Sequence, residues 1–453
     1  MIRRSGRRGL LAIVAVLAIA VSAASTVAAA PVKSRVVLVA PFDASALDPD
    51  ERWVGEAIGE VLRLALVQHQ AFIPLERARL RTLGTPTAWG NDVVQQAART
   101  VRAETAVFGR VTRTGTDLVI VPRYLEVKPG TEPVALEDVT VPEGQLLSKL
   151  GTRPLLYAKA MKVTLTEAEG ARMEKAAKPT RSVRALELYA RAHMALNRAG
   201  HAQETNETAV DLLSRAIESD ASFVAAQYAL GTVHQSLGNR WKAAAQYRAA
   251  TQLDPTQPEP YKAIGDLFLV QPRRLFDQAL EAYAKAIELR PFYADAHVGL
   301  GDARAAKGDI DGAIKAYQQA LVYNAMNPRV HLSLGKIYFG EKGLYYESVN
   351  AYKKAIDLDG SSVEARMGLG EVYEDKGLWK EAADEYRKVI ELDGKHTGAM
   401  YNLAIVYEKT DPREAITQWE KYIALASQLP SEKDWVDVAR QHLRKLKSTV
   451  KDK

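Results

Sequence analysis

Between Ala192 and Trp419 the chain repeats one spacing of small and large residues seven times. A first small residue stands at Ala192, Gly231, Gly265, Gly301, Gly335, Gly370 and Ala404. A second stands at Ala209, Ala243, Ala279, Ala313, Ser348, Ala382 and Ala415, and four positions beyond each comes Leu213, Tyr247, Tyr283, Tyr317, Tyr352, Tyr386 or Trp419. The period is 34 residues, stretched to 35, 36 or 39 where a turn takes an insertion. A period in this range belongs to stacked supersecondary units, none of which buries its apolar face alone. Most of such a chain is an extended surface for holding something.

Within one period the apolar residues follow helical spacing. Ala279, Tyr283, Ala286 and Ile287 share one face, as do Ala313, Tyr317, Ala320 and Leu321, and again Ala382, Tyr386, Val389 and Ile390. Pro255 and Pro291 end second helices, and Gly360 and Gly394 end others. The two small residues let a pair of helix backbones approach, and the aromatic fills the space between units. This pattern resembles the tetratricopeptide repeat (TPR), which implies an all-α superhelical solenoid. The units are placed at 185–223, 224–257, 258–293, 294–327, 328–362, 363–396 and 397–430. Trp435 to Lys447 reads as an amphipathic cap on the last unit, within a C-terminal segment 431–453.

The N-terminus has a different character. Arg3, Arg4, Arg7 and Arg8 precede an unbroken apolar run from Leu10 to Val21, and small residues follow to Ala30. That is the layout of a secretory signal peptide, here residues 1–29 with cleavage after Ala29; retention as a membrane anchor is the alternative. Those four arginines account for most of the net charge of +6. The remainder is near neutral, which gives no electrostatic footprint for a nucleic acid. Membrane contact is expected only through an uncleaved N-terminus, and the oligomeric state is left open. The chain has no cysteine, which excludes disulfides, thiolate metal sites and a thiol nucleophile.

Residues 31–178 read as an α+β domain with a small mixed sheet. Arg35 to Phe42 is a β-branched strand. Asp48-Pro49-Asp50-Glu51 is a helix start, followed by Val54, Ile58, Val61 and Ala65 on one face. Phe72 to Leu75 is a second strand and Asp92 to Ala103 a second helix. Thr105 to Thr112 and Leu118 to Val127 form a hairpin around Gly115. Val134 to Val141 is a further strand, and Gln145 to Val163 a closing helix interrupted near Gly151 and Pro154. The expectation is that both main helices cover one side of the sheet. The segment resembles the N-terminal domain of TolB and the TolB-like domains beside repeat arrays in bacterial signalling proteins. The matching residues are Val37-Leu38-Val39-Ala40-Pro41-Phe42, Leu75-Glu76-Arg77, Ala106-Val107-Phe108-Gly109-Arg110-Val111, Gly115 and Leu118-Val119-Ile120. Leu186-Glu187-Leu188-Tyr189-Ala190-Arg191-Ala192 resembles the junction those proteins place before their repeats. The resemblance implies protein contact rather than catalysis.

In the repeat fold, first helices line the concave groove. Positions 2, 5, 9, 12 and 13 of the units carry Glu259, Asp266, Asp295, Asp302, Glu364, Glu371, Glu374, Asp375 and Glu408 against Lys262, Arg329, Lys336 and Lys409. This balance favours a basic or hydrogen-bonding peptide, with Tyr228, Gln235, Tyr401 and Asn402 adding contacts. The alternative is that these charges only solvate a helical surface. No Asn stands at position 9, so a clamp for a C-terminal carboxylate is not expected. His297 and His331 are equivalent positions in adjacent units and read as inter-helix packing rather than metal ligands. No catalytic motif, cofactor loop or metal signature is present. The expected function is an exported, non-enzymatic bacterial scaffold, periplasmic or membrane-tethered, that binds partner segments in the envelope. The other reading is a sensor or regulatory subunit whose TolB-like domain binds a small ligand and signals through the repeats.

Overall fold

The computed structural model describes residues 34–451 apart from 76–79, 81–82, 84–87, 143, 198–201 and 271–274. Residues 1–29, expected to be a signal peptide, and Glu76-Arg77 of the stretch that resembles TolB lie outside the described residues.

The chain opens with β1 (Arg35–Val39), α1 (Trp53–Leu66), β2 (Phe72–Pro74), α2 (Asn91–Thr100), β3 (Thr105–Thr114) and β4 (Asp117–Glu126). β1 lies between β2 and β3 and is parallel to both; β4 is antiparallel to β3. Gly115, at φ +61°, makes the tight turn between β3 and β4. The stretch from Val134 to Val141 divides into β5 (Val134–Ala135) and β6 (Val139–Val141), which pair with opposite ends of β4. The closing helical region is α3 (Leu146–Leu150), α4 (Arg153–Ala160) and α5 (Glu167–Ala176), with Thr166 and Glu169 forming a capping box on α5.

The two main helices do not share a side of the sheet, which corrects the sequence-based expectation. Val37, Val39, Val107 and Val111 pack with Ile58, Val61 and Leu62 of α1 on one face. Val36, Leu38, Ala106 and Phe108 pack with Val94, Ala97 and Ala98 of α2 on the other. Strand order explains it. β1 steps to β2 on one side, and the chain then crosses back past β1 to β3. Two right-handed crossovers in opposite directions must run over opposite faces. A strand buried on both faces also has no need to alternate, as Val-Val-Leu-Val shows. α1 lies unusually close to the sheet, because a Cβ on Gly55 would stand 2.1 Å from the Phe42 carbonyl oxygen.

Seven antiparallel helix pairs follow among the described residues: α6/α7 (Val183–Asn197, Ala202–Ser219), α8/α9 (Val224–Ser236, Arg240–Leu253), α10/α11 (Pro258–Leu269, Phe276–Leu289), α12/α13 (Ala294–Lys307, Ile310–Tyr323), α14/α15 (Pro328–Gly340, Tyr345–Leu358), α16/α17 (Val363–Asp375, Trp379–Leu392) and α18/α19 (Thr397–Thr410, Pro412–Ala426). The final helix, α20 (Lys433–Lys451), covers Trp419 and Tyr422 with Val436 and Ala439. The helical part is an all-α solenoid.

The sheet and the solenoid form one body. The core that begins at Val37 and α1 continues without a break through Tyr157 and Met173 into Leu186, Tyr189, Leu213, Phe223 and Val233. Beyond that shared core, the N-terminal half lies along the edge where each second helix returns to the next unit. Lys175 pairs with Asp254 at 3.1 Å, and Arg290 donates to Gln68 at 3.4 Å. Ser34 donates to the Tyr323 carbonyl at 3.0 Å, and Arg102 donates to that of Asp357. Four successive inter-unit turns are thus tied to the N-terminal half, through Lys175 of α5, Gln68 after α1, Ser34 before β1 and Arg102 after α2. No helix among the described residues is long and apolar enough to cross a membrane.

Candidate functional site

The small residues on the first helices set the depth of the concave wall. A Cβ on Gly231, Gly265, Gly301 or Gly370 would come within 2.7 Å of the ring of Tyr247, Tyr283, Tyr317 or Tyr386, respectively. Each ring therefore slides through the gap a glycine leaves and brings its polar end to the groove. Buried tyrosine hydroxyls need acceptors, and first-helix residues supply them. Tyr247 donates to Gln235 at 2.7 Å, Tyr283 to Asp266 at 2.7 Å, Tyr317 to Asp302 at 2.7 Å and Tyr386 to Glu374 at 2.8 Å. In the last unit the Trp419 indole N–H donates to Glu408 at 2.8 Å. A ladder of aromatic donors and polar acceptors thus runs along the groove.

The sequence-selected groove residues divide accordingly. Gln235, Asp266, Asp302 and Glu374 are rungs of this ladder. Asp266 also binds Lys262 at 2.8 Å, and Asp302 pairs with Arg329. Tyr228 packs on Tyr247 with ring centroids 5.7 Å apart. Tyr401 lies beneath the cap against Trp419, Tyr422 and Trp435, and Asn402 of the next unit lies near the Tyr386 hydroxyl. Lys336 pairs with Glu364. Asp375 is exposed, with Lys376 at 4.0 Å its one ion-pair partner among the described residues. Glu371 is exposed on the groove wall; desolvation by the neighbouring units, then the charge of Glu374, push its carboxyl above the ordinary range, partly offset by Lys336. The two histidines each bond a turn carbonyl: His297 that of Pro291 at 2.8 Å, and His331 that of Ala325 at 3.3 Å.

The sequence treated the second-helix aromatics as filler and missed their hydroxyls. A signal was available: an acid or amide stands at position 9 or 12 of the same unit wherever a bond forms. Also missed was a crevice of about 930 Å³ between the sheet edge and the solenoid. Its walls include Ile73, Pro74 and Arg102 on one side and Lys262, Asp295 and Arg329 on the other. Burial pulls the Lys262 ammonium down, but Asp266 and Asp295 outweigh it and hold the group above its usual range.

Family models agree with this architecture. One described as a TPR repeat matches residues 301–340, and one described as a tetratricopeptide repeat matches 201–258 and 337–397. Over residues 201–258 and 301–397, then, the helix pairs match tetratricopeptide-repeat models. Among solved structures, the chain is similar to YrrB, a TPR protein with an unusual peptide-binding site, at 23% identity over 44% of this chain and 99% of that one, with a TM-score of 0.37. It is similar to MamA at 26% identity over 37% and 95%, with a TM-score of 0.33. It is also similar to a thermophilic TPR protein of Thermus thermophilus, TTC0263, at 21% identity over 38% and 93%, with a TM-score of 0.33. A search of curated proteins gave no significant match. Tetratricopeptide repeats are in general protein-interaction scaffolds and typically carry no catalytic chemistry.

Proposed function

We propose that the protein is an exported scaffold of the bacterial cell envelope that holds partner protein segments in its repeat groove. The observation that carries this reading is the concave wall of α14, α16 and α18, where Lys336, Glu371 and Asp375 remain accessible while the tyrosine ladder fixes the surface behind them. Export rests on the charged and apolar layout of residues 1–29. The resemblance of residues 31–178 to TolB-like domains supports an envelope setting and a second protein contact.

The crevice favours a second reading, a sensor. At about 930 Å³ it lies within the roughly 300–1,000 Å³ range of small-molecule sites, and both halves of the protein line it. A ligand there would bias how the sheet sits on the repeats.

The test is cross-linking of the tagged full chain in its native envelope, with captured peptides identified by mass spectrometry. Recurrent envelope proteins linked through residues 328–430 are the expected result. Recovery of the protein alone would overturn the scaffold and leave the sensor, to be tested by melting-temperature shifts of the full chain across a metabolite panel.

A further inference from the structure

The donor ladder has one gap. In the unit built by α14 and α15, position 9 is Lys336 and position 12 is Phe339, so no acceptor stands where the other units place Gln235, Asp266, Asp302, Glu374 or Glu408. Tyr352 is only 2% exposed, and its hydroxyl has no hydrogen-bond partner among the described residues. Its ring is held between Gly335 and Gly368, and a Cβ on Gly368 would stand 2.6 Å from the hydroxyl oxygen. The oxygen therefore lies on α16 at the point where that helix turns Glu364, Gly368, Glu371 and Asp375 to one side, three or four residues apart.

Glu371 sits one turn beyond Gly368 and likewise has no hydrogen bond or ion pair among the described residues. The nearby cations are engaged elsewhere. Lys336 pairs with Glu364, and the Lys376 ammonium lies 3.1 Å over the Tyr345 ring. Four carboxylates, Glu364, Glu371, Glu374 and Asp375, thus face two engaged lysines. The Tyr352 ring is buried but its hydroxyl opens to the groove, so the donor that both neighbouring units satisfy internally is here left facing whatever occupies the groove.

Resting on the groove reading above, we propose that Tyr352 and Glu371 anchor an extended basic segment of a partner protein. A main-chain carbonyl of the segment accepts the Tyr352 hydroxyl, and a lysine or arginine side chain of the same segment pairs with Glu371. The remaining acids of α16 supply the attraction that brings it there.

The test uses random dodecapeptides displayed on phage, panned against the full chain. Recovered peptides are placed by photo-cross-linking and measured by fluorescence polarisation. They should be rich in Lys and Arg and cross-link within residues 328–410. Tyr352→Phe and Glu371→Gln should each weaken them about tenfold or more. Tyr352→Phe should leave the melting temperature unchanged, because its hydroxyl makes no internal bond. Tyr386→Phe should do the reverse, lowering the melting temperature with little change in peptide affinity. Groove-bound peptides that hold Tyr352→Phe and Glu371→Gln as tightly as wild type would overturn the anchor and leave the groove reading standing. Failure to recover any groove-bound peptide would overturn both.

Discussion

The glycines of the first helices and the aromatics of the second are one device seen from two sides. A methyl group on Gly370 would press to 2.6 Å from the Tyr386 ring, which is fully buried and fixed at its far end by Glu374. The ring has no direction in which to yield. Gly370→Ala should therefore cost about 1–3 kcal/mol in urea unfolding, the usual penalty for overpacking. Gly360→Ala is the control, since nothing lies nearer than 4.0 Å to its Cβ position and the change should stay within about 0.5 kcal/mol. Equal midpoints for the two variants would show that the ring slides freely. The Tyr386–Glu374 bond also complicates a charge-reversal experiment. Replacing Glu371, Glu374 and Asp375 together by Lys would also break the Tyr386 bond, so lost binding would not separate groove charge from groove structure. Acid sensitivity has its own residue-scale origin. Asp220 accepts from Ser222, Thr180 and the Arg181 amide where the sheet domain joins the repeats. Burial pushes its carboxyl up, but these hydrogen bonds outweigh burial and hold it below its ordinary value. A carboxyl depressed in the folded state stabilises fully above its unfolded pKa of about 3.9, and that contribution is lost as pH falls through the folded value. Asp220→Asn should melt below wild type at pH 7, and the gap should narrow as pH drops under about 4. A gap that stays constant across that range would assign the effect to shape rather than charge.

At the scale of elements, the repeats were legible because every period restates the same packing constraint. Glycine, alanine and tyrosine at fixed offsets admit few other arrangements. The faces of the sheet were not legible, because the side on which α2 lies depends on strand order, and nothing in Asn91 to Thr100 encodes where β3 will pair. The break between β5 and β6 escaped for a related reason: Val134 to Val141 has strand composition throughout, but Leu136 bonds back to the Pro122 carbonyl at 2.9 Å as the chain leaves β4. Groove acids were legible as a class and illegible as individuals. Asp302 and Glu371 both read as exposed acids on a helix, yet one holds a tyrosine hydroxyl and the other bonds nothing among the described residues. The shared core carries a further consequence. Residues 31–178 end before Leu186, Tyr189, Leu213 and Phe223, which complete the apolar surface over α1. A fragment of 31–178 should expose that surface, bind a hydrophobic dye and unfold without a sharp transition. Extension to residue 257 should restore cooperativity. A cooperative transition in the shorter fragment would mean that its sheet and α1 are sufficient on their own.

At the scale of the whole molecule, a tetratricopeptide array is quasi-one-dimensional: each unit touches its neighbours and small changes at each interface add into large changes of curvature. This protein removes much of that freedom. The N-terminal half holds the turns at Asp254, Arg290, Tyr323 and Asp357, and Met326 packs into the core behind α2. Contacts spaced over four turns fix the rise and rotation between units as a strut fixes the bend of a spring. They also create the crevice, whose walls belong to neither half alone. If the strut sets the curvature, then Met326→Glu combined with Arg102→Ala should release the second half of the solenoid while leaving the shared core at α6 to α8 intact. Small-angle scattering should then report a larger radius of gyration, and hydrogen exchange should rise at 324–329 and 358–361 without change at 183–233. The melting temperature should fall only slightly, because the repeats keep their own interfaces. An unchanged radius with raised exchange would mean that repeat packing alone sets the curvature, and that the sheet merely rests on turns already in place.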